Sequence, residues 1–344
     1  MTVARDYREW IRDMAHRDAW LGQVVEAVID PDREIIDPHH HLWDRGGSIY
    51  EMPQLWADTS DGHNVTGTIF IECRMNWREN GPDHLKPVGE TEYVVGQAAL
   101  AARYPDRAQL IGHIAHAHLA SPDLDEVLDA QAAAGGDLFK GIRHSLSLEA
   151  EDPGALMIPG RGEPGLSASD AFQNGVRRLG ERGLTYDTWL YHHQLEDYRD
   201  LAAACPDTTM ILDHFGTPLG VGVYAGRKAD IFAKWKDDIA AIAELPNVHA
   251  KLGGLAMPDN GFGYMERDKP PTSDELLDDQ AKWYEHTLDL FGPDRCMFES
   301  NFPVDRVSVG YRVYWNAMKK LVADRSEADK TALFSGTAKR VYGV

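Results

Sequence analysis

The run Asp37-Pro38-His39-His40-His41 follows the first apolar segment of the chain, Glu34 to Asp37. In an extended chain residues two apart face the same way, so His39 and His41 point together while His40 points away. Two imidazoles on one face can bind a metal or share a proton with a substrate oxygen, and the plain alternative is a solvent-exposed histidine loop. His214, in MILDHFGTP, ends another apolar run just before a glycine-containing loop. His192 and His193, in WLYHHQL, follow a third; adjacent pairs of this kind more often cap or pack than ligate, and His192 is kept as a candidate substrate contact. The run RCMFESNFPVD supplies Asn301, with Glu299 two residues before it and Asp305 four after.

Charged and aromatic candidates stand at equivalent places. Arg143, in KGIRHS, has strand parity with Gly141 and Ser145, and its planar guanidinium suits a carboxylate or polarised carbonyl; an ion pair to a neighbouring acid is the alternative. Glu72 and Arg74, in IECRMNW, could bind substrate hydroxyls or pair with each other, and Lys251, in AKLGG, is a further cation expected near the same place. Tyr191 and Trp77 are candidate aromatic walls, although most of the nine tryptophans must be packing.

These residues need elements to position them. Eight short, β-branched runs recur, beginning at Glu34, Gly67, Leu110, Lys140, Leu184, Thr208, Asn247 and Arg295, and the chemistry-bearing residues fall in them or at their ends. Helical stretches alternate with them: Glu92 to Ala102, Leu124 to Ala134, Ser169 to Glu181, Gln194 to Ala204, Ile231 to Ala243, Asp274 to Phe291 and Glu327 to Val341. Eight βα units predict an α/β fold, a single (β/α)8 barrel whose site lies at the C-terminal ends of the strands. The long loops Leu148 to Ser167 and Met257 to Ser273 both follow strand ends and read as binding loops or lids. Tyr7 to Val28 has a helical pattern outside the eight units, so residues 1–34 are expected to form an appended extension, closing the barrel bottom or covering a subunit contact, with the barrel itself at 35–344.

Composition narrows the class. The 344 residues carry 35 Lys and Arg against 55 Asp and Glu, a formal charge of −20, which argues against a nucleic-acid partner. The three cysteines are widely spaced and form no CxxC, so packed thiols are expected rather than a disulfide framework or a thiolate metal site. The N-terminal stretch mixes charges of both signs without an apolar segment, and no run is long enough to span a bilayer, so a soluble cytoplasmic protein is expected.

The motifs IIDPHHHLWD, FKGIRHS, ILDHFGTP, KLGGLAMP and CMFESNFPVD together resemble the amidohydrolase-related TIM-barrel hydrolases, within the branch of sugar lactonases and 2-pyrone-4,6-dicarboxylate lactonase. The resemblance runs from about Ile35 to Tyr342. It makes His39 and His41 the family's HxH pair and His214 its sixth-strand histidine, and it puts Asn301 where many members carry a strand-eight aspartate. A carboxamide orients water but cannot serve as its base near neutral pH, so either another carboxylate serves, Asp305 or Glu299 being nearest and Asp305 better placed to reach the mouth, or the mechanism differs. A zinc or manganese ion at His39, His41 and His214 would lack an anionic ligand unless Asp305, Glu72 or an added carboxylate completed the shell. The branch includes members that work without metal, and no essential metal is the preferred reading. Lys140 as a carbamylated bridge is disfavoured for want of that carboxylate set.

The expected activity is opening of a small cyclic ester, or a related C–O or C–N bond, in an anionic or polyhydroxylated substrate. In this reading His39, His41 and His214 polarise the carbonyl, Asn301 holds the water, which Asp305, another carboxylate or a histidine activates, and Glu72, Arg74, Arg143, Tyr191 and His192 bind substrate. The alternatives are a metal-dependent decarboxylase of an aromatic or unsaturated acid, against which Asn301 tells, an amide hydrolase, and a non-catalytic binding barrel. The sequence leaves a homo-oligomer open.

Overall fold

The computed structural model describes residues 7–344. Ten strands are formed: β1 (Glu34–His40), β2 (Trp43–Arg45), β3 (Ser48–Tyr50), β4 (Asn64–Ile71), β5 (Gln109–Ala115), β6 (Phe139–Arg143), β7 (Thr185–Thr188), β8 (Met210–Leu212), β9 (Val248–Leu252) and β10 (Cys296–Phe298). Strands β2 and β3 make a small antiparallel hairpin, and the other eight form one parallel sheet in the order β1-β4-β5-β6-β7-β8-β9-β10. The sheet closes beyond β10, where His41 N donates to Phe302 O at 2.8 Å and Asn301 N donates to His39 O at 3.0 Å. All eight expected runs are therefore barrel strands. Their apolar residues fill both faces, because helices cover the outside and side chains fill the inside.

The barrel interior is layered. At its base Ile36, Ile69, Ile114, Ile211 and Met297 pack with Ala338 and Tyr342 of the C-terminal helix. Above them Lys251 Nζ lies 2.8 Å from Asp187 Oδ2, and the Tyr342 hydroxyl donates to the same oxygen at 2.6 Å. Lys251 is fully buried in this layer, which corrects its expected place at the mouth. Lys140 Nζ donates to Gly343 O at 3.0 Å, beside the C-terminal end of the chain.

The helices match their expected spans within a few residues, with Ser169 capping the one at Asp170–Glu181 through a bond from Phe172 N. Helices at Met52–Thr59 and Tyr311–Leu321 and the β2-β3 hairpin were not anticipated. The N-terminal extension forms two short helices, Tyr7–Arg12 and Met14–Leu21. They lie over the mouth and not the base: Trp10 Nε1 donates to Val307 O at 2.9 Å, Trp20 Nε1 to Arg267 O at 3.2 Å, and both rings pack with Met265 and Val307 from loops after β9 and β10. The two long loops meet there, since Asp259 accepts from Met157 N at 2.7 Å and Ile158 N at 2.9 Å. Among the described residues no helix is long and apolar enough to cross a membrane.

Candidate active site

His39, His41 and His214 converge at the mouth. The ring centroids of His39 and His41 are 5.1 Å apart and those of His39 and His214 are 4.5 Å apart, while His40 turns toward Phe70 on β4. His214 holds a left-handed backbone at φ +54°, which swings its ring back over the strand ends. Space for it comes from Gly254, where an added Cβ would stand 2.4 Å from His214 Nδ1, and Gly253 makes the same room for Glu299, whose Cγ would be 2.5 Å away. The double glycine of KLGG is thus required by the pair it accommodates.

Glu299 is the carboxylate of this cluster. Its Oε1 is hydrogen-bonded to His214 Nδ1 at 2.6 Å, and its Oε2 lies 2.7 Å from His39 Nδ1 in a contact too bent for a hydrogen bond. Burial raises Glu299 to about 8 despite Lys251, and burial lowers His214 to about 3 despite Asp213, so the pair's proton rests toward the carboxyl at neutral pH.

Partners define the other two rings. His41 Nδ1 lies 2.8 Å from Ile71 O, which can only accept, so His41 carries its proton on Nδ1 and offers the Nε2 lone pair. His39 Nε2 lies 3.3 Å from Arg143 Nη1, which can only donate, so His39 carries its own proton on Nδ1, toward Glu299. Arg143, His39, Glu299 and His214 therefore stand in succession, hydrogen-bonded at the two ends and joined in the middle by the 2.7 Å contact of His39 with Glu299. Desolvation keeps His39 and His41 neutral well below the ordinary imidazole range.

The cavity above is about 110 Å³, room for roughly ten waters at ~10–15 Å³ each. Its lining includes His41, His214, Asn301, Glu72 and Arg143, all singled out in the sequence. Arg143 is less free than expected: Nε donates to Glu72 Oε1 at 3.0 Å, Nη2 donates to Glu72 O, and Nη1 faces His39. It is a fixed positive charge rather than an open clamp. Burial would raise Glu72, but Arg143, His116 and Arg161 outweigh it and hold the carboxylate at about 2.

Other expected residues lie elsewhere. His39 is wholly buried behind the lining. Asp305 is also buried, its Oδ2 taken by Ala256 N at 3.1 Å and its Oδ1 by Asn301 Nδ2 at 2.9 Å, so it braces Asn301 and cannot reach a water at the mouth. Arg74 stacks on Trp77, 5.5 Å from the ring centroid. Tyr191 is buried, its ring against Trp189 and its hydroxyl toward Ile158 O, so it props the loop instead of walling the cavity. His192 accepts from Leu219 N and borders a separate groove with Tyr224. Two lining cations were missed, Arg45 and Arg161. Arg45 ends the short β2 strand of the added hairpin and Arg161 lies in a long loop, both outside the eight barrel strands, where no longer periodicity marks a side chain's direction.

A metal can be tested against the donors. Asp213, though within ion-pair distance of Lys251 and Arg143, has both carboxylate oxygens without hydrogen bonds; His39 Nδ1 and Glu299 Oε2 are likewise buried without one. His39, His214 and Glu299 each bring a donor atom within 4.8 Å of the others, a group that could hold a metal ion.

An eight-stranded parallel barrel with histidines, carboxylates and an arginine at its C-terminal mouth defines a (β/α)8 enzyme scaffold. The amidohydrolase family model matches residues 36–344, and the chain belongs to that family. The uncharacterized protein y4mH of Sinorhizobium fredii is 29% identical over 91% of this chain and 99% of its own length. An L-fucono-1,5-lactonase of Burkholderia multivorans is 26% identical over 90% of this chain and 96% of its own. The crystal structure of a Burkholderia multivorans amidohydrolase with bound zinc superimposes with a TM-score of 0.69 at 24% identity, covering 90% of this chain and 99% of that one.

Proposed function

We propose that the protein is a lactonase that opens a small cyclic ester by adding water to its carbonyl. The observation that carries this is the fixed division of labour between two imidazoles facing one cavity: His41 offers a lone pair, and His214, backed by the Glu299 carboxyl, offers an N–H. The similarity to an L-fucono-1,5-lactonase supports the same reading.

A water held by Asn301 gives its proton to His41 Nε2 as its oxygen attacks the lactone carbonyl carbon. The carbonyl π pair moves onto oxygen, where His214 Nε2–H donates and the Arg143 charge stabilises it. Collapse breaks the ring C–O bond, and the ring oxygen leaves as a hydroxyl with the proton from His41. Lactone and water are thereby converted to a hydroxy acid. Asn301 suits its position: braced by Asp305 through Nδ2, it keeps Oδ1 for the water, and its φ of +55° is one that asparagine tolerates well.

An ion held by His39, His214 and Glu299 would supply the positive charge that imidazole protons otherwise supply. His39 and Glu299 stand behind the cavity lining, so the reading proposed here does not require an ion in contact with substrate. The test is a lactone hydrolysis screen with His41→Ala. General-base loss predicts a fall in kcat of about 10²–10⁴-fold with the melting temperature nearly unchanged. Full activity in that variant would reject the assignment.

A further inference from the structure

The inner cavity is not the end of the mouth. A second cavity of about 310 Å³ adjoins it on the outside, and five residues line both: Tyr7, Trp43, Arg45, Ile158 and Arg161. They come from the N-terminal helix, the β2-β3 hairpin and the first long loop, so the neck is built from segments added to the barrel. Ile11 and Met157 add apolar surface to the outer cavity, and no acid stands among the described residues lining it.

The charge at this neck is out of keeping with the chain. In a protein of net charge −20, three arginines line the inner cavity against one carboxylate, Glu72. Glu72 is already matched by Arg143 at 3.0 Å, and Arg161 Nη1 is 3.9 Å from its other oxygen. Arg45 is held by a bond to Cys73 O and lies 5.0 Å over the Trp43 ring, without a carboxylate partner among the described residues. Positive charge therefore exceeds negative where a ligand must pass from the outer cavity to the inner one.

We propose that Arg45 and Arg161 form an anion subsite, and that the substrate is a lactone bearing a carboxylate or phosphate at the end remote from its scissile carbonyl. This rests on the lactonase reading and extends it to a substrate class. The ring lies in the inner cavity against His41 and His214, and its anionic end reaches the neck. Tyr7 makes the N-terminal helix part of the binding surface. Planar guanidinium groups match the oxygens of either anion, and the carboxylate and phosphate forms are distinguished by assay.

The experiment compares six-carbon sugar lactones that end in a hydroxymethyl, a carboxylate or a phosphate at the same carbon, on wild type and the Arg45→Gln/Arg161→Gln double variant. Wild type is expected to prefer one of the charged lactones in kcat/KM by about 10–100-fold, and the double variant to lose that preference, since charge-assisted hydrogen bonds contribute about 1.5–3 kcal/mol. The identity of the preferred lactone separates carboxylate from phosphate. No preference in wild type, or one that survives in the variant, overturns the subsite. A binding readout keeps the two readings separable: the ring-opened dicarboxylate and phosphate products should raise the melting temperature of wild type but not of the variant. If that shift is seen and no lactone is hydrolysed, the lactonase reading fails and the subsite stands. If the shift is absent, the subsite fails.

Discussion

Replacing Glu299 with Gln removes the group that connects His39 and His214 while keeping its shape. In the native site the carboxyl is 2.6 Å from His214 Nδ1 and 2.7 Å from His39 Nδ1. A glutamine amide no longer commits His214 to one tautomer: with its oxygen toward Nδ1 the ring carries its proton there, and Nε2 loses the hydrogen it gives to the carbonyl oxygen. Loss of one donor to the oxygen that becomes negative in the transition state is worth about 2.7–4 kcal/mol, or roughly 100–1000-fold in rate. A complete switch of tautomer moves the effect toward about 10⁴-fold, the size found when an aspartate that fixes a catalytic histidine's tautomer becomes asparagine. Glu299→Gln should therefore lower kcat by at least about 100-fold with KM little changed, measured by acid release in a pH-stat. A variant within tenfold of wild type, correctly folded by circular dichroism, would refute the role given to Glu299.

Further outcomes follow from the same geometry. Gly254→Ala should cost nearly all activity, because the new Cβ would meet the His214 side chain at 2.4–2.8 Å and φ is +78°; crystallography or kinetics on the purified variant checks it. Stability should fall as pH rises from about 4.5 to 8, because burial lifts Glu299 to about 8 and the folded state then holds a proton that the unfolded chain has released. Melting curves across that window should show a smaller decline for Glu299→Gln than for wild type. Asn301→Asp should fold normally, since aspartate also tolerates a left-handed backbone, and should not raise turnover. A rate gain that depends on added zinc or manganese would contradict this.

The barrel was legible because its signals are local. Each strand is a short β-branched run, and the parity of His39 and His41 places them on one side wherever that strand lies. The convergence of His214 on them follows once the barrel is accepted. What was not legible depends on chain reversals. Asp305 was expected at the mouth by its distance in sequence from Asn301, but the left-handed turn at Asn301 and the short 3-10 turn Asp305–Val307 direct its carboxyl inward to Ala256 N. Glu299 was visible as an alternative, yet its contact with both histidines depends on the room left by Gly253 and Gly254. The N-terminal helices were expected to close the base or cover a subunit contact, and only the distant bonds of Trp10 and Trp20 bring them over the mouth. Arg45 and Arg161 had no periodic pattern to give them a direction.

The most direct test of the central claim is acid release from a panel of sugar lactones by protein that has been exhaustively chelated and assayed for residual metal. The account predicts hydrolysis at the rate of the untreated enzyme, lowered by about 10²–10⁴-fold in His41→Ala and by at least about 100-fold in Glu299→Gln. No turnover of any lactone, or turnover that returns only when a divalent metal is restored, would contradict it.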